Sequence, residues 1–374
     1  MPLEDLSKTE ENTQPNRGGG IWRAIRLFAL GTTVLLGVLS LAGATFQWLG
    51  ARSDRQTYPP PGELVDVDGR SMHIDCRGEG ESTLILDAGA GGWSIHWQSL
   101  HDDLASQTRT CAFDRAGLGW SEAVPGTADG AEIARQTRGL LRAAKIDEPV
   151  VYVGHSLGAN IAQLYAHAFP DHVAGLVLVD PGRPVDMLED FEGSAEDAAS
   201  IQDCGWKCSA GSLITHLGAM RLIMGGYQSR HFNDQTTAHY RVGMTQPQSV
   251  ATVLSYLSFM PRTAYQLQEI QSFGDIPLTI LYSENTRRPE ADETVEDVAT
   301  WHAEVLDDMA RLAALSSRGH GPVLVPDATH TSVVLQDEAV AIVKAEIIKL
   351  IETVRAGVET EDNLDTPQVD NTIG

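Results

Sequence analysis

The feature that most constrains this sequence is a β-branched run that leads directly into a glycine-flanked serine. Residues 150–153 read Val-Val-Tyr-Val, residues 154–158 read Gly-His-Ser-Leu-Gly, and a helical pattern follows at 159–169. Glycine at both ends of the pentapeptide allows close approach of strand and helix, because it has no β-carbon. The order predicts a strand, a sharp turn and a helix, with the Ser156 hydroxyl projecting above the strand end.

Short apolar runs alternate with helical patterns along most of the chain, which predicts an α/β fold with a mostly parallel sheet and helices on both faces. The predicted strands include residues 83–87, 150–153, 176–180, 278–282 and 323–325. The stretch at about 183–275 breaks the alternation with several helices, and we interpret it as an inserted helical cap. The domain as a whole is expected to span residues 63–355.

An uncharged, mostly apolar run at residues 27–49 is long enough to cross a hydrocarbon core as a helix. Arginines are slightly more frequent before it than after it, so we expect a transmembrane anchor at 21–50 with a cytoplasmic N-terminal tail. The alternative is a cleaved signal peptide and a secreted protein, because Ala42-Gly43-Ala44 resembles a cleavage site. Both interpretations put the remaining chain on the extracytoplasmic side of the membrane.

Three further segments are expected to lie outside the folded domain. Residues 51–62 contain three consecutive prolines and are expected to form a linker. The polar residues 1–20 and the acidic residues 356–374 are expected to be disordered. The net charge of −24 argues against a nucleic-acid partner, because phosphate binding needs a basic surface.

The four cysteines are an even number, which suggests disulfides in an exported chain. Cys76 and Cys111 lie in two predicted strands, and we expect them to pair. Cys204 and Cys208 lie four residues apart in a loop-like stretch and form the second expected pair. Free, partly buried thiols are the alternative. A zinc site is disfavoured, because no histidine has ligand spacing near Cys204.

A serine hydroxyl is inert without a base, so a histidine is required. His330 follows the last predicted strand after a short loop, and we expect it to serve as that base. His320 precedes the same strand and would lie at the wrong edge of the sheet. His155 lies inside the turn and should point away from Ser156.

Two backbone amides are expected to bind the negative charge that develops on a substrate oxygen. The Leu157 amide lies at the N-terminus of the predicted helix, where the helix dipole favours negative charge. The glycine-rich loop at 88–93 lets the backbone approach a substrate closely, and Ala90 is the expected second donor.

Residues 114–121 read Asp-Arg-Ala-Gly-Leu-Gly-Trp-Ser and resemble the D-R-x-G-x-G-x-S segment typical of the α/β-hydrolase superfamily. With the glycine-rich loop, the Ser156 turn and His330, the resemblance extends over about residues 64–354. It implies the α/β-hydrolase fold, and the superfamily includes esterases, lipases, peptidases, epoxide hydrolases and dehalogenases. The last two use an aspartate at the turn, so Ser156 is expected to exclude them.

The position of the acidic residue departs from the usual superfamily pattern. That pattern, G-x-x-D, follows the strand at 278–282, where this sequence has Thr286 in place of the aspartate and Glu284 out of register. Some relatives carry the acid after the preceding strand, where this chain has Asp180. We therefore expect Asp180 to be the acid, with Glu284 as the alternative. A carboxylate that only caps a turn is the structural interpretation of either residue.

Together these residues predict a serine hydrolase that cleaves a carboxylic ester or related acyl bond through an acyl-enzyme intermediate. The mechanism needs no metal and no organic cofactor. The expected partners are a small-molecule acyl substrate and, through the N-terminal helix, the membrane. The alternatives are an aminopeptidase or amidase on the same fold, or a catalytically silent binding protein.

Overall fold

The computed structural model describes residues 18–124, 129–285 and 294–365. Within them, eight strands form one sheet in the order β1-β2-β4-β3-β5-β6-β7-β8. The strands are β1 (Glu63–Val67), β2 (Arg70–Arg77), β3 (Thr83–Asp87), β4 (Thr110–Phe113), β5 (Val150–His155), β6 (Val173–Val179), β7 (Leu278–Ser283) and β8 (Gly319–Val325). β2 runs antiparallel to β1 and β4, and the other neighbouring strands are parallel. The predicted fold class is therefore confirmed.

The described helices lie on both faces of the sheet, between strands β6 and β7, and at the two ends of the chain. They are α1 (Gly18–Thr57), α2 (Gln98–Ala105), α3 (Gly130–Ala143), α4 (Leu157–Ala168), α5 (Pro184–Met187), α6 (Ala195–Ser200), α7 (Gly205–His216), α8 (Ala219–Met224), α9 (Asp234–Met244), α10 (Ser249–Gln268), α11 (Val295–Ala313) and α12 (Asp337–Asp365).

Strand β5 shows why the predicted strands are almost continuously apolar. Val150 and Tyr152 pack into the buried cluster that includes residues of α3, α4 and α11. Val151 and Val153 point to the opposite face and pack with residues of α2 and α12. Because helices cover both faces of a parallel sheet, neither set of side chains can be polar.

The chain inserts helices α5 to α10 between β6 and β7, in the stretch where we expect the cap. The apolar residues at 213–224 divide between α7 and α8 at Gly218. This glycine has a left-handed backbone with φ of 76°, a conformation that side-chain-bearing residues rarely adopt. The turn redirects the chain between the two helices.

The segments expected on either side of the domain contain more helix than their composition indicated. The linker expected at 51–62 is helical as far as Thr57, since α1 continues without a break from the apolar run. The first proline after that run is Pro59, and proline disfavours helix in the residue before it. The tail expected to be disordered from residue 356 is helical to Asp365, because α12 extends through it. The other expected disordered positions, 1–17 and 366–374, lie outside the described residues.

Two disulfides link the cysteines in the expected pairs. Cys76 on β2 and Cys111 on β4 are directly opposite each other in the sheet and are bonded. Cys204 and Cys208 are bonded across the start of α7. Among the described residues no cysteine is free.

Candidate active site

Ser156 occupies the sharp turn between the end of β5 and the start of α4. Its backbone has φ of 55° and ψ of −121°, a combination that is strained for a residue with a side chain. A β-carbon on Gly154 would collide with the backbone of Gly158, and one on Gly158 with the backbone of Asp87. Both positions must therefore be glycine, and the turn holds the Ser156 side chain above the sheet.

Three side chains from three different strand ends form one hydrogen-bonded chain. Ser156 Oγ lies 2.8 Å from His330 Nε2, and His330 Nδ1 lies 2.7 Å from Asp180 Oδ2. The carboxylate accepts from Nδ1–H, which leaves Nε2 free to accept the serine proton. The side chain of Asp180 is 2% exposed and that of His330 is 42% exposed. The hydroxyl end of the chain therefore faces the solvent and the carboxylate end is buried.

The environment of Asp180 favours its ionised form. It follows β6 directly, with φ of 49°, and its amide donates to Leu281 O on β7. Burial opposes ionisation, but hydrogen bonds from His330 and from the Ser283 hydroxyl and amide outweigh it, so the pKa of Asp180 lies below its ordinary value. Glu284, the alternative acid, is exposed and forms no hydrogen bond with His330.

Ser283 is a site residue that the sequence reasoning missed. Its hydroxyl lies 2.6 Å from Asp180 Oδ2, and its amide lies 3.0 Å from Oδ1. It ends β7, at the strand where superfamily members usually carry the acid. The sequence could reveal the role of Ser283 only if β6 and β7 were already known to be neighbouring strands.

The glycine-rich loop after β3 lies directly beside Ser156. A β-carbon on Gly89 would lie 3.2 Å from Ser156 Cβ, so the loop backbone is at van der Waals distance from the serine. Ala90 is exposed, and Leu157 is the first residue of α4. Neither amide donates a hydrogen bond to any described residue. Both are therefore available to a ligand at Ser156 Oγ.

A buried ionic cluster supports this loop from below. Arg115 donates to Gly89 O, and its Nη1 lies 3.2 Å from Asp87 Oδ1. Tyr152 donates to the other oxygen of Asp87 at 3.0 Å, and Arg115 lies 5.3 Å from the ring centroid of Tyr256. The sequence placed Arg115 in the D-R-x-G-x-G-x-S segment, but did not identify it as the residue that binds the carbonyl preceding Ala90.

The other two histidines considered as bases lie elsewhere. His155 Nε2 lies 2.8 Å from His330 O, so its ring contacts the His330 backbone and not the serine hydroxyl. Burial lowers the pKa of His155 to about 3, with the nearby His330 adding to the effect. It is therefore neutral and donates to that carbonyl. His320 lies near the start of β8, exposed and 3.9 Å from Glu346.

Within the described ranges, no group of three or more His, Cys, Asp or Glu side chains is arranged to hold a metal ion. The chemistry that the arrangement supports is proton transfer from Ser156 to a neutral imidazole. The Leu157 amide at the N-terminus of α4 and the Ala90 amide in the neighbouring loop are the candidate donors to the negative charge that would then develop.

Comparisons with known proteins agree with the fold. A family model described as the alpha/beta hydrolase fold matches residues 83–199. The uncharacterized protein YbdG of Bacillus subtilis is 22% identical over 205 residues, covering 54% of this chain and 61% of that protein. A 2-hydroxy-6-oxo-6-phenylhexa-2,4-dienoate hydrolase of Burkholderia cepacia is 30% identical over 115 residues, covering 30% of this chain and 40% of that protein. The chain thus matches less than two thirds of the length of these relatives.

Among solved structures, a thermophilic esterase of Thermogutta terrifontis, described with malate bound, superposes with a TM-score of 0.53. The match covers 78% of this chain and 97% of the esterase, at 18% sequence identity. At this identity the match shows a shared fold alone. The sheet order, the Ser156 turn and the family-model match over residues 83–199 together show that the chain has the α/β-hydrolase fold.

Proposed function

We propose that the protein is a serine hydrolase that cleaves a carboxylic ester or a related acyl bond through an acyl-enzyme intermediate. The hydrogen-bonded chain from Ser156 through His330 to the buried Asp180 carries this proposal. A serine hydroxyl becomes a nucleophile when an adjacent base takes its proton. In this arrangement His330 is the base, and the ionised Asp180 orients it.

The first half of the reaction transfers the acyl group to the enzyme. Ser156 Oγ bonds to the substrate carbonyl carbon while its proton moves to His330 Nε2. The carbonyl oxygen becomes an oxyanion that accepts from the amides of Ala90 and Leu157. His330 then gives the proton to the leaving alcohol, the bond from the carbonyl carbon to that oxygen breaks, and an acyl-Ser156 ester remains.

The second half repeats these steps with water. His330 takes a proton from the water, whose oxygen attacks the acyl carbon, and the same two amides hold the second oxyanion. The bond to Ser156 Oγ then breaks, the serine regains its proton from His330, and the carboxylic acid leaves. Asp180 holds the proton on Nδ1 and stabilises the imidazolium in both halves.

The two alternative functions are a different enzyme that uses the same residues and a protein without activity. An aminopeptidase or amidase would differ only in the leaving group that His330 protonates. A catalytically silent binding protein would retain the fold without reacting. Attack by a carboxylate at the turn, which the superfamily resemblance associates with epoxide hydrolases and dehalogenases, is excluded because residue 156 is a serine.

Labelling with a fluorophosphonate probe tests the proposal directly. The wild-type protein should be labelled covalently at Ser156, and Ser156→Ala should abolish both the labelling and ester hydrolysis while the protein stays folded. Ser209→Ala, at an exposed serine of α7, is the matched control and should react like the wild type. A wild-type protein that is not labelled would favour the silent binding protein. Faster cleavage of aminoacyl amides than of acyl esters would favour the peptidase.

We further propose that α1 anchors the protein in a membrane with the domain on the extracytoplasmic side. The segment Gly20–Thr57 is long and apolar enough to span a bilayer, and its apolar window is unburied. The two disulfides support an oxidising compartment. Resistance of the native protein to alkaline extraction, with an intact N-terminus by mass spectrometry, is the expected result. A mature chain that begins after Ala44 would identify a cleaved signal peptide instead.

A further inference from the structure

One stretch of the cap differs in charge from the rest of this acidic protein. The chain has 51 aspartate and glutamate residues among 374, yet there is none between Asp203 and Asp234. This acid-free stretch contains α7 and α8. A surface without acidic side chains avoids both the desolvation cost and the repulsion that carboxylates meet at a lipid surface.

The same stretch exposes large apolar side chains. Leu213 and Ile214 in the last turns of α7 are 58% and 45% exposed, and Leu222 and Ile223 in α8 are 72% and 66% exposed. We call these four residues the α7–α8 face. Clustered exposed aliphatic side chains on a protein surface mark a contact with a partner or a membrane.

The α7–α8 face adjoins the C-terminal part of the helix that we propose as the anchor. A β-carbon on Gly218, between α7 and α8, would lie 3.0 Å from Phe46 Cδ1 and 3.2 Å from Gly43 O. Arg221 Nη1 lies 2.8 Å from Asp54 Oδ2, which pairs the basic residue of α8 with the acid nearest the apolar run. The cap is therefore fixed to α1 at the level of residues 43–54.

A third contact fixes Thr245, the residue after α9, to the same helix. Gln47 is 4% exposed, and its side-chain amide donates to Thr245 O at 2.8 Å. A polar side chain inside an apolar helix is satisfied here by the cap backbone. This contact and the two at α8 define how far along α1 the cap reaches.

The helix geometry then places the α7–α8 face relative to the bilayer. A hydrocarbon core about 30 Å thick takes about 20 helical residues. Counted from Leu27, directly after Arg26, the core ends near Phe46. The exposed Trp22 and Trp48 are about 39 Å apart along the helix, a spacing that matches the interfacial positions preferred by tryptophan on both sides of a membrane. Gly43, next to Gly218, therefore lies on the hydrocarbon side of Trp48.

From these observations we infer that the α7–α8 face binds the bilayer leaflet on the domain's side, and that the Ser156 site takes acyl esters dissolved in that leaflet. The inference rests on the proposed hydrolase and anchor. Helices that insert apolar side chains about 5–10 Å into the interface are a common way for proteins to lie on a membrane. The anchor alone would tether the domain, whereas this face gives it a fixed orientation.

The packing of the cap connects the membrane-binding face to the site. On its other side α7 packs against α10, where a β-carbon on Gly211 would lie 2.9 Å from Leu254. One residue earlier in α10, Val253 lies 3.3 Å from the β-carbon position of Gly91 in the glycine-rich loop. One helix thus separates the α7–α8 face from the loop that contains Ala90. An ester held at this face would therefore lie one helix away from the loop beside Ser156.

Photo-crosslinking of the full-length protein in phospholipid vesicles tests the contact. The photoreactive residue p-benzoylphenylalanine replaces Leu222 in the α7–α8 face, Val38 in the apolar part of α1, or Val295 at the start of α11. Val295 is 80% exposed and is the matched control. Lipid adducts detected by mass spectrometry at positions 222 and 38, and not at 295, are the expected result.

The other outcomes separate the two proposals. Adducts at 38 without adducts at 222 would leave the anchor intact and overturn the inference. Adducts at both 222 and 295 would overturn it as well, since the contact would not be specific to this face. No adducts at 38, with release by alkaline carbonate, would overturn the anchor and with it the inference. Fluorophosphonate labelling would still report on the hydrolase.

A charge variant tests the substrate class. Leu222→Glu combined with Ile223→Glu should lower hydrolysis of a long-chain ester dissolved in the vesicles by about tenfold or more, because two apolar side chains lose their lipid contact. Hydrolysis of a short water-soluble ester should not change. Val295→Glu adds a charge outside the cap and should alter neither rate. Equal loss on both esters, or no loss on either, would overturn the assignment of a membrane-dissolved substrate.

Discussion

Two buried aspartates lie at the ends of strands in the same sheet, and their pKa values are shifted in opposite directions. Asp87 ends β3 and is 1% exposed, and Asp180 follows β6 and is 2% exposed. Burial raises the pKa of Asp87 in spite of Arg115, whereas hydrogen bonds from His330 and Ser283 outweigh burial and lower the pKa of Asp180. Burial at a strand end is therefore not what distinguishes an acid that acts on a histidine.

The partners account for the difference between the two carboxylates. Asp87 is bound by a guanidinium and a phenol, both enclosed in the core, and it stabilises the loop that precedes Ala90. Asp180 is bound by a half-exposed imidazole whose other nitrogen reaches Ser156. We expect the first to act on structure and the second on reactivity, and each prediction below tests that division.

The largest expected effect follows removal of the Asp180 charge. Asp180→Asn should lower kcat for ester hydrolysis by about 10⁴-fold, because the imidazole would lose the acceptor that fixes its tautomer. Glu284→Gln removes the alternative acid and should change kcat little. Circular dichroism spectra would verify that both variants are folded. Comparable losses in the two variants would show that the carboxylate after β7 contributes to the site.

The structural role of Asp87 is tested by replacing Arg115, the cation that it binds. Arg115→Met should lower the free energy of unfolding by about 3–5 kcal/mol, because it leaves a buried carboxylate without its partner. It should also reduce kcat, since Gly89 O loses its donor and the Ala90 amide is no longer held in place. Arg115→Lys retains the charge but lacks the planar guanidinium, and it should lower stability and kcat less than Arg115→Met does. Denaturant unfolding and steady-state kinetics measure the two effects. Loss of activity with unchanged stability would contradict a structural role.

Replacing Ser283, which donates to Asp180, should have a smaller effect on activity. Ser283→Ala removes one hydrogen bond to a charged group, which is worth about 1.5–3 kcal/mol, and should lower kcat about tenfold. It should also shift the acidic limb of the kcat/KM profile to higher pH, because the carboxylate would be less stabilised. Ser283→Thr retains the hydroxyl and should restore most of the activity. An unshifted pH profile would mean that Ser283 only fills space.

Much of this site could be predicted from the sequence because local geometry determines it. The turn at Ser156 needs glycine on both sides within a few residues, and that requirement is visible in the pentapeptide. The position of His330 follows from the order of the strands alone. The choice of Asp180 over Glu284 depended on the resemblance to superfamily members, and the structure gives only Asp180 a hydrogen bond to His330.

The features that the sequence did not reveal depend on contacts between distant residues. The pairing of Ser283 with Asp180 requires knowing that β6 and β7 are neighbours, and the contact of Arg115 with Gly89 requires the fold of two loops. That residues 51–57 of the expected linker are helical was missed for the same reason. Asp54 pairs with Arg221 of α8, so α1 is packed where composition indicated only a spacer.

The smallest effects concern how pH acts on stability through the two aspartates. The folded pKa of Asp180 is lowered, so its ionisation adds stability above the unfolded pKa of about 3.9, and this is lost as pH falls through the folded pKa. The folded pKa of Asp87 is raised, so its contribution is present below the unfolded pKa and is lost as pH rises through the folded pKa.

The differences in free energy of unfolding between the wild type and the two neutral variants should therefore change in opposite directions as pH rises through the acidic range. The free energy of unfolding of the wild type minus that of Asp180→Asn should increase as pH rises from about 3 to 5, while the difference from Asp87→Asn should decrease. Constant offsets between proteins, such as a lost contact in the variant, cancel because only the slopes are compared. Urea unfolding at a series of pH values measures both slopes. Slopes of the same sign would mean that both carboxylates serve one structural role.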